Sequence, residues 1–196
     1  IGVRLVGSEM CIRDRLIPDG EHASFLKDHA KCITEGSAIV YAHGASCTQH
    51  QLQNVYPQFN HLLLAPKAIA SELRFQFETN GNLGACFSLE FAREVDKQAC
   101  DITLKNLAKG IGITAGPYAT SFTHETRADL FSEQSLLCGL LPYAAKQSFD
   151  FLIKQGIRSE VAYMECWLEV RLIANAMLEY GPLEFFDLIS PHALLG

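Results

Sequence analysis

Two pairs of acidic residues lie in segments that are otherwise apolar. Glu165 and Glu169 are four residues apart, which makes them neighbours on one face of a helix. Asp129 and Glu133 have the same spacing, and leucines follow them at 136, 137 and 140. Adjacent carboxylates on an apolar face repel each other and lose hydration, so a cation must compensate for them. Four carboxylates favour a hard cation, Mg²⁺ or Mn²⁺, over zinc.

These acidic pairs have two other interpretations. They can be ordinary charged helix faces that pair with Lys or Arg elsewhere. A di-iron bundle would require Glu-x-x-His motifs, and none of the seven histidines has a Glu three residues before it. Di-iron binding is therefore excluded, whereas simple ion pairing stays open beside metal binding.

A histidine and a lysine each follow a short apolar run. His43 comes after the run 38–42, and Lys67 comes after the run 61–65. Open parallel sheets bind ligands at the carboxyl ends of their strands. Together with the acidic helices, these two residues predict a site between two domains.

The elements that must position these residues form an α/β part followed by an all-α part. Apolar runs at 38–42, 61–65 and 83–89 alternate with helical stretches, which predicts a parallel sheet covered on both faces. After about residue 121 only helical patterns remain, over 128–155 and over 159–180. Pro142 predicts a kink in the first of these helices, and Ser159 is expected to cap the second.

Three segments are expected along the chain. Residues 1–15 lack periodicity and resemble a translated sequencing-adaptor scar, so they are set aside as non-native. Residues 16–120 are expected to form part of a Rossmann-type domain. Residues 121–196 are expected to form part of a helical domain.

Composition excludes several classes of protein. The 196 residues carry a formal net charge of −6, which argues against binding the nucleic-acid backbone. No apolar run approaches the roughly 18 residues of a membrane span, so no membrane partner is expected. The seven cysteines form no C-x-x-C pair and fit reduced thiols in the cytoplasm.

The chain resembles the ketol-acid reductoisomerase (acetohydroxy-acid isomeroreductase) family from about residue 16 to residue 190. The matching motifs are Leu-Ile-Pro-Asp (16–19), Ala-His-Gly (42–44), Ala-Pro-Lys (65–67), Ala-Lys-Gly-Ile-Gly (108–112), Asp-Leu-Phe-Ser-Glu-Gln (129–134), Leu-Cys-Gly (137–139) and Ala-Tyr-Met-Glu-Cys-Trp-Leu-Glu (162–169). The resemblance implies a Rossmann domain followed by a knotted helical domain. It also implies a two-step reaction on 2-acetolactate or 2-aceto-2-hydroxybutyrate, in valine and isoleucine biosynthesis. Two Mg²⁺ ions would assist an alkyl migration, and NADPH would reduce the product.

The resemblance also implies a role for each acidic residue. Asp129 would bridge both Mg²⁺ ions, and Glu133 would complete one metal site. Glu165 and Glu169 would serve the second ion and the substrate, and would come from the partner subunit of a homodimer or larger homo-oligomer.

Five further residues are implied by the same resemblance. His43 and Lys67 match the family's active-site histidine and lysine. Ser190 matches the serine that holds the substrate carboxylate. Pro18 and Asp19 fall on the loop that contacts the cofactor.

The sequence departs from the family in four places. The Gly-rich turn that cradles the NADPH pyrophosphate is absent, which suggests a chain truncated at its N-terminus that binds NADPH weakly and is inactive alone. His22 replaces a usual Gln on the cofactor loop, and Ala68-Ile69-Ala70 replaces a Gly-Pro-Gly-like tract. Residues 191–196 also differ, and several further helices do not follow.

Two alternatives to the enzyme stay open. A divergent, non-catalytic member would keep the helical domain for dimerisation, and its carboxylates would point to separate surfaces. Another Rossmann-type hydroxy-acid dehydrogenase, without metals, would leave the paired carboxylates unexplained.

Overall fold

The computed structural model describes residues 12–14, 17–181 and 183–195 of the chain. Residues 1–11 and 15, which belong to the segment interpreted as non-native, lie outside the described residues, and so does Leu16. Residues Ile12–Asp14 of that segment form a strand that pairs with the next strand of the sheet. The described chain divides into two units, the first ending at Leu130 and the second beginning at Phe131.

The first unit contains a five-stranded sheet whose spatial order follows the chain order. Three of the strands form at the predicted apolar runs, whereas the last was not predicted, because Gly116-Pro117 in it is typical of a turn. The strands are β1 (Ile12–Asp14), β2 (Ala38–Tyr41), β3 (Asn60–Pro66), β4 (Gly84–Phe91) and β5 (Ala115–Ala119).

The expectation of a wholly parallel sheet is wrong for one strand pair. Among the described strands, β1–β2, β2–β3 and β4–β5 pair in parallel, whereas β3 and β4 are antiparallel. The intervening helix α4 (Ala70–Glu78) buries none of its side chains, so it does not cross over a face of the sheet. The chain instead returns beside β3, where the Lys67 N–H donates to the Gly84 carbonyl over 2.8 Å.

Both faces of β2 and β3 are covered, which explains their continuous apolar sequence. On one face, Ile39, Tyr41 and Leu63 belong to a core cluster that includes Leu26 and Leu52 from the helices of that side. These helices are α1 (His22–His29), α2 (Ala45–Gln49) and α3 (Leu52–Val55).

The alternate residues of β2 and β3 belong to a second cluster on the other face of the sheet. Helix α5 (Lys97–Gly110) supplies Cys100, Leu104 and Ala108 to it. These three residues recur every four positions, so they form a single buried stripe on α5.

Helices follow the sheet, but they are less regular than the sequence predicts. The expected helix at 128–155 begins earlier and contains a π-helical segment, Glu133–Leu140, before Pro142. Pro142 lies in the first turn of the next helix, where it is tolerated. The helices are α6 (Phe122–Ser132), α7 (Leu141–Lys154), α8 (Ser159–Tyr163), α9 (Glu169–Tyr180) and α10 (Phe185–Leu188).

The helix expected over 159–180 is also interrupted. A second π-helical segment, Met164–Leu168, lies between α8 and α9. Ser159 is the first residue of α8 and not its cap, because Arg158 has the extended backbone of the capping position. No helix in the described part of the chain is long and apolar enough to cross a membrane.

A buried asparagine holds the amino-terminal end of β3. The Asn60 amide donates to the Gly36 carbonyl over 2.7 Å and to the Asp96 carboxylate over 3.0 Å. Its own oxygen accepts from the Arg93 N–H over 2.7 Å. Asn60 therefore joins the start of β3 to two other segments, the one before β2 and the one after β4.

We predict that Asn60→Ala lowers the free energy of unfolding by about 2 kcal/mol, because it leaves the partly buried Gly36 carbonyl and Arg93 N–H without this partner. Urea unfolding followed by circular dichroism measures the change. Asn54→Ala is the matched control, since Asn54 is exposed on α3, and its effect should stay within about 0.5 kcal/mol. Equal stability of the two variants would contradict the prediction.

Candidate active site

His43 follows β2 and lies against the start of α6. Its Nδ1 is 3.2 Å from Glu125 Oε2 and 3.4 Å from Asp129 Oδ2. Gly44 permits this approach, because a Cβ there would come within 2.7 Å of the Phe122 carbonyl oxygen and 2.6 Å of Thr126 Oγ1. A residue with a side chain at position 44 would push α6 away from the end of β2.

Lys67 follows β3, the neighbouring parallel strand. Its Nζ donates to Glu125 Oε1 over 2.7 Å and to Asp129 Oδ1 over 2.9 Å. Parallel strands end at the same edge of a sheet, so His43 after β2 and Lys67 after β3 lie close together at that edge. The first unit therefore brings together three of the residues singled out in the sequence: His43, Lys67 and Asp129.

Glu125 is the fourth member of this cluster, and it is not among the residues predicted from the sequence. Its side chain is 1% exposed and also accepts a hydrogen bond from the Gly44 N–H over 2.9 Å. Glu125 lies four residues before Asp129 on α6, the same spacing that drew attention to Asp129 and Glu133. Applying that spacing one turn earlier would have found it.

The charges in this cluster shift one another's pKa values. Burial alone would raise the pKa of Glu125, but hydrogen bonds from His43, Lys67 and Gly44 outweigh it and lower that pKa to about 2. The hydrogen bond to Glu125 raises the pKa of His43 against the opposing effect of burial. Burial would lower the pKa of Lys67, yet its bonds to Glu125 and Asp129 leave it raised. Glu125 is therefore ionised and Lys67 charged at neutral pH.

The cluster has a donor set suited to a metal ion. His43, Glu125 and Asp129 each offer one ligand atom, and these atoms lie within 4.8 Å of one another. The Lys67 ammonium already lies between the two carboxylates, so the position favours positive charge. His43 Nε2 is buried and has no hydrogen-bond partner within the described residues. Two carboxylates at a position that favours positive charge fit a hard divalent cation.

The remaining acidic residues belong to the second unit and are exposed. Glu133 begins the first π-helical segment, Glu165 lies within the second, and Glu169 begins α9. Interruptions of this kind are rare and frequently mark functional sites. The grouping of these three residues with Asp129 stays a prediction.

Three residues expected at the substrate or cofactor are also exposed. Pro18 and Asp19 lie in the turn before α1, where the Asp19 carboxylate is 3.7 Å from His22 Nδ1. Ser190 follows α10 in the second unit, and its hydroxyl accepts from the Ala193 N–H over 3.3 Å.

Two family models together match most of the chain. The family model for the acetohydroxy acid isomeroreductase NADPH-binding domain matches residues 10–116, and the model for the ketol-acid reductoisomerase C-terminal domain matches residues 122–196. The structure of an NADH-preferring ketol-acid reductoisomerase from an uncultured archean superimposes with a TM-score of 0.74 at 23% identity. That comparison covers 93% of this chain and 54% of the other, so the chain spans about half the length of that enzyme.

A second solved structure shows the same fold more distantly. A semialdehyde dehydrogenase NAD-binding protein from Cupriavidus necator, in complex with calcium and NAD, matches with a TM-score of 0.62 at 14% identity. The match covers 93% of this chain and 72% of the other. At these identities the two structures establish the fold alone.

We predict that Glu125→Gln destabilises the chain by about 2 kcal/mol at neutral pH, because it leaves Lys67 and His43 facing a neutral amide. The lowered pKa of Glu125 stabilises the folded chain above its ordinary value of 4.5, and this stability is lost as pH falls toward about 2. The raised pKa of His43 stabilises the folded chain below its ordinary value, and this part is lost as pH rises through the raised pKa.

Urea unfolding, repeated from neutral pH down to about pH 2, measures the effect of Glu125→Gln on the free energy of unfolding. The difference from the unaltered chain should shrink as pH falls from 4.5 toward 2, and NMR titration should give a lower pKa for His43. Glu160→Gln is the control, since Glu160 is exposed on α8. A difference that is constant with pH would argue against the ion-pair network.

Proposed function

Because the chain belongs to the ketol-acid reductoisomerase (acetohydroxy acid isomeroreductase) family, we propose that it contributes the central part of such an enzyme's active site. The proposed reaction is an alkyl migration in 2-acetolactate or 2-aceto-2-hydroxybutyrate, followed by reduction with NADPH to a 2,3-dihydroxy acid. The observation that carries this proposal is the convergence of Glu125, Asp129, His43 and Lys67 at the carboxyl ends of β2 and β3.

The proposed metal ligand within the first unit is Asp129, joined by Glu133, Glu165 and Glu169 from the second. Bound Mg²⁺ would supply Lewis acidity toward the substrate's hydroxyl and carbonyl oxygens. Asp129 is about one-quarter exposed and accessible to an ion, whereas the buried Glu125 keeps its bonds to the protein. Glu125 thus orients the site, and its charge adds to the negative potential at the metal position.

His43 and Lys67 are the proposed proton-handling residues. The Nδ1–H of His43 donates to Glu125, which orients the imidazole that would exchange a proton with the substrate hydroxyl. Lys67 holds its ammonium where negative charge develops on the substrate oxygens. Both depend on Glu125, whose low pKa keeps it ionised while protons move.

The proposed cofactor is NADPH, held near Pro18 and Asp19. The family model that matches this part of the chain describes an NADPH-binding domain. The same edge of a doubly wound sheet binds dinucleotides in general, which supports this position.

The two alternatives make different demands on the cluster. A non-catalytic dimerisation module gives no reason for a buried carboxylate that binds a lysine, a histidine and a backbone N–H together. A dehydrogenase without metals gives no reason for Asp129 beside Glu125. Both are weaker accounts of this geometry than the reductoisomerase.

The second unit supports a homodimer as the partner. Among its described residues, the buried hydrophobic side chains are Ala162, Cys166 and Phe185, whereas many large ones are exposed. Exposed apolar residues extend along α7 and α9, including Tyr143, Phe151 and Leu172 among others. An exposed apolar surface of this kind requires a partner that covers it. A second copy related by a two-fold axis presents an equally apolar surface and can be that partner.

We propose the cytoplasm as the location. The six cysteines within the described residues are all free, and three of them are buried. Free thiols of this number fit a reducing compartment.

We predict that Asp129→Asn weakens Mg²⁺ binding by roughly tenfold or more, because a neutral amide cannot replace a carboxylate charge. Isothermal titration calorimetry with MgCl₂ measures the affinity, and NADPH oxidation with 2-acetolactate measures turnover. Asp187→Asn is the control, since Asp187 is exposed on α10. Unchanged Mg²⁺ affinity in Asp129→Asn would contradict the metal assignment.

We predict that mixed dimers of Asp129→Asn and Glu165→Gln subunits recover half of the tight Mg²⁺ sites, whereas each parent dimer has none. If Glu165 acts across the dimer, one site of the mixed dimer carries both lesions and the other is intact. Calorimetry of the mixed dimer, purified from the two parent dimers and checked by sedimentation, measures this. A mixed dimer without tight sites would mean that each site is built within one chain, and a monomer would exclude the second copy as the partner.

A further inference from the structure

A buried histidine connects the turn expected at the cofactor with the helix that follows His43. His22, the first residue of α1, is 2% exposed. Its Nε2 is 3.1 Å from the Ile17 carbonyl oxygen, and its Nδ1 is 2.5 Å from Ser46 Oγ. Ile17 precedes the turn that contains Asp19, and Ser46 lies in the first turn of α2.

The two partners of His22 lie in different segments of the chain. A carbonyl oxygen only accepts, so His22 Nε2 carries a hydrogen and donates it to Ile17. Nδ1 forms the other hydrogen bond with the Ser46 hydroxyl, which can either donate or accept. The ring therefore satisfies both neighbours and links the two segments.

The surroundings of His22 hold its ring in place. The ring meets the edge of Tyr41 with centroids 5.6 Å apart, and the Tyr41 hydroxyl bonds with His61 Nδ1 over 2.9 Å. His61 Nε2 in turn donates to the Tyr56 carbonyl over 3.0 Å. His22 therefore packs on buried polar residues that hold its ring in place.

We propose that His22 is a positioning residue that fixes the turn at residues 17–21 to the start of α2, and so sets the distance between the dinucleotide and His43. The dinucleotide part of this inference rests on the proposed function, whereas the connection itself does not. His22 touches neither substrate nor cofactor in this scheme, and it acts through Ile17 and Ser46.

Amide hydrogen exchange measured by mass spectrometry tests the connection on the whole chain. The Glu21 N–H donates to the Pro18 carbonyl over 2.8 Å and reports on the turn. We expect His22→Ala and Ser46→Ala each to accelerate exchange at Glu21 by roughly tenfold or more, with exchange in β3 unchanged. The double variant should add little, since both changes break one connection.

His29→Ala is the control, because His29 is exposed on the same helix, α1. His22→Gln provides a rescue, since its amide offers both a donor and an acceptor, and it should restore part of the protection at Glu21. Unchanged exchange at Glu21 in His22→Ala, or equal acceleration in β3, would overturn the positioning role.

Titration with NADPH and with NADH tests the consequence for the cofactor. His22→Ala should raise the dissociation constant of the bound dinucleotide by about tenfold, while Mg²⁺ affinity measured by calorimetry stays the same. Faster amide exchange at Glu21 together with an unchanged dissociation constant for the dinucleotide would overturn the link to the cofactor. A chain that shows the local loosening but binds neither dinucleotide would support the connection and count against the cofactor part of the proposed function.

Discussion

One buried carboxylate determines how the candidate site is arranged. Glu125 accepts hydrogen bonds from the Gly44 N–H and Lys67, and it faces the imidazole of His43. A buried charge is costly unless it is paired and hydrogen-bonded, so these three groups cannot move far from it. Because they belong to the ends of β2 and β3, Glu125 also fixes the start of α6 against the sheet. The same contacts that stabilise the fold therefore orient the chemical groups.

The sheet explains why those contacts meet at one point. β2 and β3 are parallel and buried on both faces, so their register is set by packing on two sides. Their carboxyl ends then lie side by side, and the residue after each strand reaches the same edge. Gly44 completes the arrangement, since α6 approaches the backbone at that point more closely than a Cβ permits.

Much of this arrangement could be predicted from the sequence, because continuous apolar runs identify buried strands and the residues that follow them identify the ligand edge. The antiparallel direction of β4 could not be predicted. Its apolar run looks the same in either direction, and the direction depends on the path that the chain takes through α4. Glu125 was overlooked because its neighbours in the sequence are polar, and its burial depends on His43 and Lys67, which are about 60 to 80 residues away. The π-helical segments give no pattern in residue type that separates them from α-helix.

The antiparallel return of β4 has a consequence for engineering the protein. Residues 68–82 leave the sheet and rejoin it at the same edge, and none of them is buried. Lengthening such an excursion costs little, about 0.6 kcal/mol for each doubling of its length. A fluorescent reporter or an affinity tether inserted there would begin next to Lys67 without crossing either face of the sheet. This segment is thus a natural attachment point for a probe that senses the occupancy of the neighbouring site.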